Sequence, residues 1–176
     1  MTASLLPMLA APAAHAAPYC GTGPDGQTVI WRITDIRKRY VNTGLFSNWV
    51  HPQYDSAQLA YNDSATSAWT GTVSASLSAE AGVVFAKASS TISVSIAKTW
   101  SKTATWSYTM NVPKDPDHRY RMRQRQETRK FTARKFRWKY SEAKGRCAYV
   151  RVKSGWGHFP RSTQSTLVWS LQKKKV

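Results

Sequence analysis

The chain has 176 residues, a net charge of +17 and only two cysteines. Its nine acidic residues fall mostly in predicted turns and leave little for a paired-carboxylate hydrolase to build on. Such a charge draws a protein toward polyanions by long-range electrostatics but does not choose among lipid, polysaccharide and nucleic acid.

Residues 1–16 are apolar and end in Ala14-His15-Ala16, the small-residue pattern of a secretory signal peptide. The predicted product is a secreted single β-rich domain over 17–176. Cys20 and Cys147, the only thiols, then meet an oxidising compartment and predict one disulfide. No later segment is apolar over the 18 or so residues a membrane helix needs. Residues 20–26, rich in Gly and Pro, read as a loop, and 28–34 (TVIWRIT) as a first strand. Residues 35–52, with Arg37-Lys38-Arg39 and the turn signal Asn42-Thr43-Gly44, read as an irregular connection. Residues 58–69 lead on without a Gly/Pro linker.

From 72 to 112 polar and apolar residues alternate, the pattern of strands with one buried face. Val73, Ala75, Leu77, Ala79, Ala81, Val83 and Phe85 share one parity. After the small-residue break at 86–90 the phase reverses, and Ile92, Val94, Ile96, Trp100, Ala104, Trp106, Tyr108, Met110 and Val112 share the other. This predicts a long Ser/Thr-rich hairpin whose inserting part comprises Val83, Phe85, Ile92, Val94, Ile96 and Trp100. The competing reading is a short helix near 78–89, because Leu77, Ala81, Val84 and Ala88 also fall on one helical face. Pro113 ends the second arm, and Asp115-Pro116-Asp117 makes a turn.

A basic meander follows. Residues 114–153 hold fifteen Lys and Arg against four acids, a net of +11. Arg119, Arg121, Arg123 and Arg125 take one parity, with Tyr120 and Met122 on the other. Lys135, Arg137 and Lys139 alternate with Phe136, Trp138 and Tyr140; Arg151 and Lys153 oppose Val150 and Val152. An antiparallel sheet with one apolar and one cationic face is expected, and its nine named Arg and Lys are the candidate anion-binding residues. The aromatics fall opposite the cations and read as core rather than as base-stacking platforms, which makes nucleic acid the weaker partner. Residues 155–162 read as a loop, 167–171 as a last strand and Lys173, Lys174 and Lys175 as a frayed tail. His51, His118 and His158 lack metal-ligand spacing, and no nucleotide-binding or nucleophile-elbow motif is present. No metal, cofactor or catalytic residue is expected.

The segment Leu59-Ala-Tyr-Asn-Asp-Ser64 leading into a Ser/Thr strand, a small-residue hairpin, a second Ser/Thr strand ending in Val112-Pro113-Lys114, and the polar strand at 119–128 together resemble the aerolysin-type β-pore-forming superfamily, in the pattern of its epsilon-toxin and mosquitocidal-toxin branch. The chain also resembles small secreted actinobacterial proteins of unknown function. The resemblance implies an elongated antiparallel sheet or sandwich whose hairpin unfolds into a transmembrane barrel after homo-oligomerisation. Lys98 and Lys102 fall on the apolar parity, where lipid contact costs about 2–4 kcal/mol each at the bilayer midplane. The expected function is non-enzymatic binding of anionic membrane surfaces with pore formation, or alternatively soluble binding of cell-envelope polymers or extracellular polyanions.

Overall fold

The computed structural model describes residues 18–163 and 167–176; the leader expected at 1–16 lies outside them. The fold is mainly β and antiparallel. Its spine is β5 (His118–Ser141), whose 24 residues reach about 80 Å when extended. Strand β1 (Val29–Phe46) pairs with one edge of β5; β6 (Arg146–Pro160) and β7 (Leu167–Lys175) share the other, β6 along its C-terminal half and β7 along its N-terminal half. A second sheet consists of β2 (Ala57–Thr70) and β4 (Thr99–Val112), paired in unbroken register from Ala57↔Val112 to Thr70↔Thr99.

The buried side of β5 changes along its length. Tyr120, Met122, Gln124, Gln126 and Thr128 are buried at even positions, then Phe131 and Ala133 at odd ones. The even face meets the β2–β4 ladder through Leu59, Val112, Tyr120 and Met122. The odd face, farther along, meets residues 77–96 through Leu77, Val84, Ala88, Ile92 and Ile96. One strand therefore carries two cores on opposite sides.

The chain between β2 and β4 connects those sides. It leaves the ladder at Gly71, where the backbone N–H donates to the Lys98 carbonyl at 2.7 Å. It joins the free edge of β6 as β3 (Thr72–Val73), opposite His158 and Gly157. A 3-10 helix (Ala75–Glu80) and α1 (Ala81–Thr91) then cover the odd face. Residues 92–98 return along the end of β6, held by Ala97 N–H to the Pro160 carbonyl and Ser162 N–H to the Ser95 carbonyl. Residues 71–98 thus form a clasp around the sheet edge. Its close fit requires glycine at Gly71, where a Cβ would run into the Phe159 ring, and at Gly155, where one would run into Ser74 and Leu77 of the clasp.

Several expectations are corrected. The first hairpin arm is not a strand over 72–85; the Ser/Thr strand paired with β4 is β2, and the short-helix alternative holds. Helix prevails because the Leu77, Val84 and Ala88 stripe is fully buried, whereas a strand would spend three of its inward positions on Ala75, Ala79 and Ala81, and alanine is the best helix former. Residues 35–46 continue β1 through two irregularities, at Asp35 (φ 54°) and around Gly44 (φ 93°). Residues 155–160 belong to β6, where alternation is hidden by glycine. Lys173, Lys174 and Lys175 belong to β7, with Lys173 paired to Asp115 at 3.0 Å.

Cys20 and Cys147 form the expected disulfide, 127 residues apart in sequence. It ties the 18–28 loop over the end of β5 and β6, where Trp138 Nε1 donates to the Cys20 carbonyl and the Tyr149 hydroxyl to the Gln27 carbonyl. Closing so long a loop stabilises by about 5 kcal/mol in the chain-entropy model. Thiol titration of the denatured, unreduced protein is expected to find no free cysteine, and reduction should lower the urea midpoint. Two titratable thiols would refute the bridge.

Candidate anion-binding face and clasp

The nine sequence-predicted cations do not form one surface. Arg119, Arg121, Arg123 and Arg125 share the odd face of the N-terminal half of β5, but they are stacked rather than open. Arg121 lies 4.1 Å from the Phe46 ring centroid and 4.7 Å from that of Trp49; Arg119 lies over Trp49 and Arg125 over Tyr40. The Nε of Arg121 donates to Gln172 and that of Arg123 to Ser170. The stacking disperses the mutual repulsion of the arginine row.

Lys135 and Lys153 face each other across β5 and β6 and both pair with Glu80 of the 3-10 helix, Lys153 at 3.5 Å. The Lys135 contact leads the causes that hold the Glu80 carboxyl below its usual range. These two lysines therefore anchor the clasp. Arg137 and Lys139 are exposed near the disulfide end. Arg151 parts company with Lys153: a register shift between Lys135 and Phe136 places two β6 residues opposite one step of β5, so Arg151 lies on the even face beside Phe136.

That even face, in the C-terminal half of the sheet, was not legible as a site. Cross-strand rows place Ile30, Phe136 and Arg151 together, then Arg32, Arg134 and Ser154, then Thr34, Thr132 and Trp156, then Arg37, Lys130 and His158. Arg32, Arg37, Arg39, Lys130, Arg151 and Trp156 are exposed there. Phe136 and Trp138, expected in the core, lie half-buried on this face, Phe136 under the Arg32 guanidinium and Trp138 under the N-terminal loop. Two signals were lost: Arg37 and Arg39 were assigned to a loop, and the buried Gln124, Gln126 and Thr128 disguise the change of face.

At the change of face lies a polar belt. Gln124 Oε1 accepts from Ser67 at 2.6 Å and from Thr43 at 3.0 Å, and Gln126 Nε2 donates to the Arg161 carbonyl. The Glu127 carboxylate is buried among Lys38 at 3.2 Å, Arg129 at 2.5 Å and Arg161 at 3.5 Å. Burial pushes its pKa up, but hydrogen bonds from Arg129 and Lys38 prevail and leave it lowered. The Thr128 hydroxyl donates to the Arg39 carbonyl, leaving its oxygen to accept from His158 Nε2 at 2.6 Å. His158 also packs edge-on against Trp69.

The inserting-hairpin residues are dispersed. Val83 is exposed on α1, Ile92 and Ile96 are buried, and Val94 packs beside them. Phe85 packs against Phe159 with the Lys98 ammonium over its ring, and Trp100 is buried in β4, paired with Trp69. Among the described residues no group of three or more His, Cys, Asp and Glu side chains converges to hold a metal. No protein-family model matches the chain, and neither the curated proteins nor the solved structures give a match.

His158 sets a pH dependence. Burial first, then Lys130 and Arg39, lower its pKa from 6.5. The unfolded chain therefore binds a proton as pH falls through about 6.5 while the folded one resists, so stability declines below that value. The lowered carboxylates Glu80 and Glu127 begin to cost stability only as pH falls below about 4.5, the ordinary value of a glutamate. Urea midpoints should fall between pH 7 and pH 5.5, and His158→Gln should flatten that slope. An unchanged slope in the variant would assign it elsewhere.

Proposed function

We propose that this is a secreted, non-enzymatic cationic protein that docks on anionic membrane surfaces and inserts its clasp as an amphipathic β-hairpin, in the manner implied by its resemblance to aerolysin-type pore formers. The carrying observation is the β2–β4 register. Each pair in that ladder sums to one constant, as in Thr70↔Thr99, and the same register continued into the clasp pairs Val73 with Ile96, Ala75 with Val94, Leu77 with Ile92 and Ala81 with Ala88. The alternate pairs are Ser74 with Ser95, Ser76 with Ser93, Ser78 with Thr91 and Glu80 with Ser89. Ala79 falls opposite Ser90 and Thr72 opposite Ala97, so one face is apolar but for Ser90 and the other polar but for Ala97.

Each arm, 72–82 and 87–97, has the 9–11 residues a tilted transmembrane strand requires. Lys98 and Lys102 then lie outside the inserted span, Lys98 at its neck, and the lipid-contact cost attached to them disappears. Lys87 falls next to the turn, where it emerges on the far side. A lone hairpin has two open edges that lipid does not satisfy, so several copies must close a barrel, each giving two strands.

A second reading, soluble polyanion binding, is favoured by the open basic face of β1, β5 and β6, which needs no conformational change.

Two exposed neighbours in the 3-10 helix test the register. Ala75 would face lipid and Ser76 the lumen, and both are exposed in the folded chain. Dye release from phosphatidylglycerol-containing liposomes should be abolished by Ala75→Lys, at about 2–4 kcal/mol per copy, and survive Ser76→Lys. Equal effects would sink the hairpin.

A tether gives an independent check. Thr72 and His158 face each other, and facing Cα atoms about 4.5–5.5 Å apart lie within disulfide range. Thr72→Cys with His158→Cys, the bridge being mapped first, should bind liposomes yet release dye only after reduction, with reduced wild type as control. Binding without leakage by the unmodified protein would leave the soluble polyanion reading.

A further inference from the structure

On the open even face a cleft of about 430 Å³ is lined by Asp35, Arg37, Arg39, Lys130, Thr132 and Trp156, among others. Its volume falls in the range of small-ligand sites, about 300–1,000 Å³. Three chemistries meet in it. Arg37, Arg39 and Lys130 are exposed cations. Trp156 keeps 41 % of its surface exposed, with the Lys130 ammonium 5.3 Å from its ring centroid. Asp35 is a carboxylate on an otherwise basic face.

That carboxylate is built in rather than incidental. Asp35 occupies the left-handed region at φ 54° within the β1 irregularity, a conformation that asparagine and aspartate tolerate better than most residues. Its Oδ2 accepts from the Thr34 hydroxyl at 3.0 Å, whose oxygen in turn accepts from Arg134 at 2.8 Å; Arg134 also stands 3.6 Å from Asp35. These bonds keep it ionised. A carboxylate weakens the hold on a simple polyanion, whereas it supplies the acceptor that a hydroxyl-bearing ligand needs.

We propose that this cleft binds an acidic saccharide, a sugar ring carrying a sulfate or phosphate group. The ring's apolar face lies on Trp156, a ring hydroxyl donates to Asp35, and the oxyanion is held by Arg37, Arg39 and Lys130. Guanidinium forks suit tetrahedral oxyanions because they donate two parallel hydrogen bonds. A single-stranded nucleic acid fits less well, since it requires successive stacking platforms. Phe136 is capped by Arg32 and Trp138 is covered by the N-terminal loop, leaving one open platform. Its charged groups lie on β1 and β5, outside the clasp, while Trp156 on β6 bonds to the clasp through Ser74.

The probe is a heparin-derived tetrasaccharide, compared by calorimetry at fixed salt with its desulfated form, linear polyphosphate and an oligo-dT strand. The sulfated sugar should bind more tightly than the desulfated sugar or oligo-dT. Trp156→Ala should weaken it about tenfold, with Trp156→Phe recovering most of the loss. Asp35→Asn decides the matter by sign: sugar binding should weaken severalfold while polyphosphate binding strengthens, because the substitution removes a negative charge. An Asp35→Asn variant that binds both anions more tightly would reduce the cleft to general electrostatics and overturn the proposal. Indifference of the sugar to Trp156→Ala would also overturn it, as would tighter, Trp156-dependent binding of oligo-dT. Liposome leakage is measured separately, so loss of sugar binding with leakage intact refutes this site without touching the insertion reading.

Discussion

The change of buried face along β5 is the constraint from which the rest of the architecture follows. A strand packed on one side throughout would need one partner layer; here even positions are covered as far as Thr128 and odd ones from Phe131 onward. The chain must therefore cross from one side of the sheet to the other, and it does so around the free edge of β6. The crossing leaves two cationic faces diagonally opposed, one carrying the stacked Arg119 to Arg125 and the other the open Arg32, Arg37, Arg39 and Lys130. At the crossover neither apolar cluster reaches, and the gap is filled by Gln124, Gln126, Glu127 and Thr128. Buried polar groups are tolerable only when their hydrogen bonds are made. Cations on both sides compensate the Glu127 charge, and hydroxyls from Thr43 and Ser67 satisfy the Gln124 carbonyl, while its buried Nε2 has no hydrogen-bond partner among the described residues.

The clasp carries two local patterns at once. Leu77, Val84 and Ala88 make a helical stripe, and Val73, Ala75, Leu77, Ile92, Val94 and Ile96 make a strand face. Most sequences agree with one structure at every level, and a local conflict of this kind marks a functional or strained segment. In water the helical packing prevails because it buries Leu77, Val84, Ile92 and Ile96. At about 1.5–3 kcal/mol for each large apolar side chain, exposing those four costs about 6–12 kcal/mol, comparable to the whole stability of a domain. Release into water is therefore rare. On the proposed insertion, an apolar phase receiving Leu77, Ile92 and Ile96 would remove much of that cost, which would confine conversion to an interface.

How much of this was legible depended on which residues report their surroundings locally. The β4 face from Trp100 to Val112 and the single disulfide were readable because alternation and thiol count are local signals. The true partner of β4 was not, since Ala57–Thr70 is rich in Ser, Asn and Asp and looks like a loop, while the clasp advertises strand periodicity more strongly than the strand does. The arginine parity on β5 was read correctly, but whether a cation is free or stacked depends on Phe46 and Trp49, which reach it from a segment assigned no structure. The open face escaped because it is assembled from β1, β5 and β6 across two register shifts. A shift of one residue inverts every assignment of face beyond it, as Arg151 and Lys153 demonstrate by ending on opposite sides of one strand.

Strand β6 joins the two proposed activities. Its Trp156 lines the cleft, while two residues on, His158 faces Thr72 at the root of the clasp and packs on Trp69 of the ladder. Proximity alone does not couple them: a ligand shifts a conformational equilibrium only by the difference in its affinity for the two states. Asp35, Arg37 and Lys130 sit on β1 and β5, whose pairing with each other does not involve the clasp. Trp156 is different, because its backbone carbonyl accepts from the Ser74 N–H at 2.9 Å, and its N–H donates to the Ser74 hydroxyl oxygen at 3.2 Å. Departure of the clasp removes both bonds from the residue that forms the cleft's apolar wall and frees that wall to move. On the insertion reading proposed above, a ligand seated on Trp156 in its docked position would favour the docked clasp, and engagement of a surface glycan would oppose insertion.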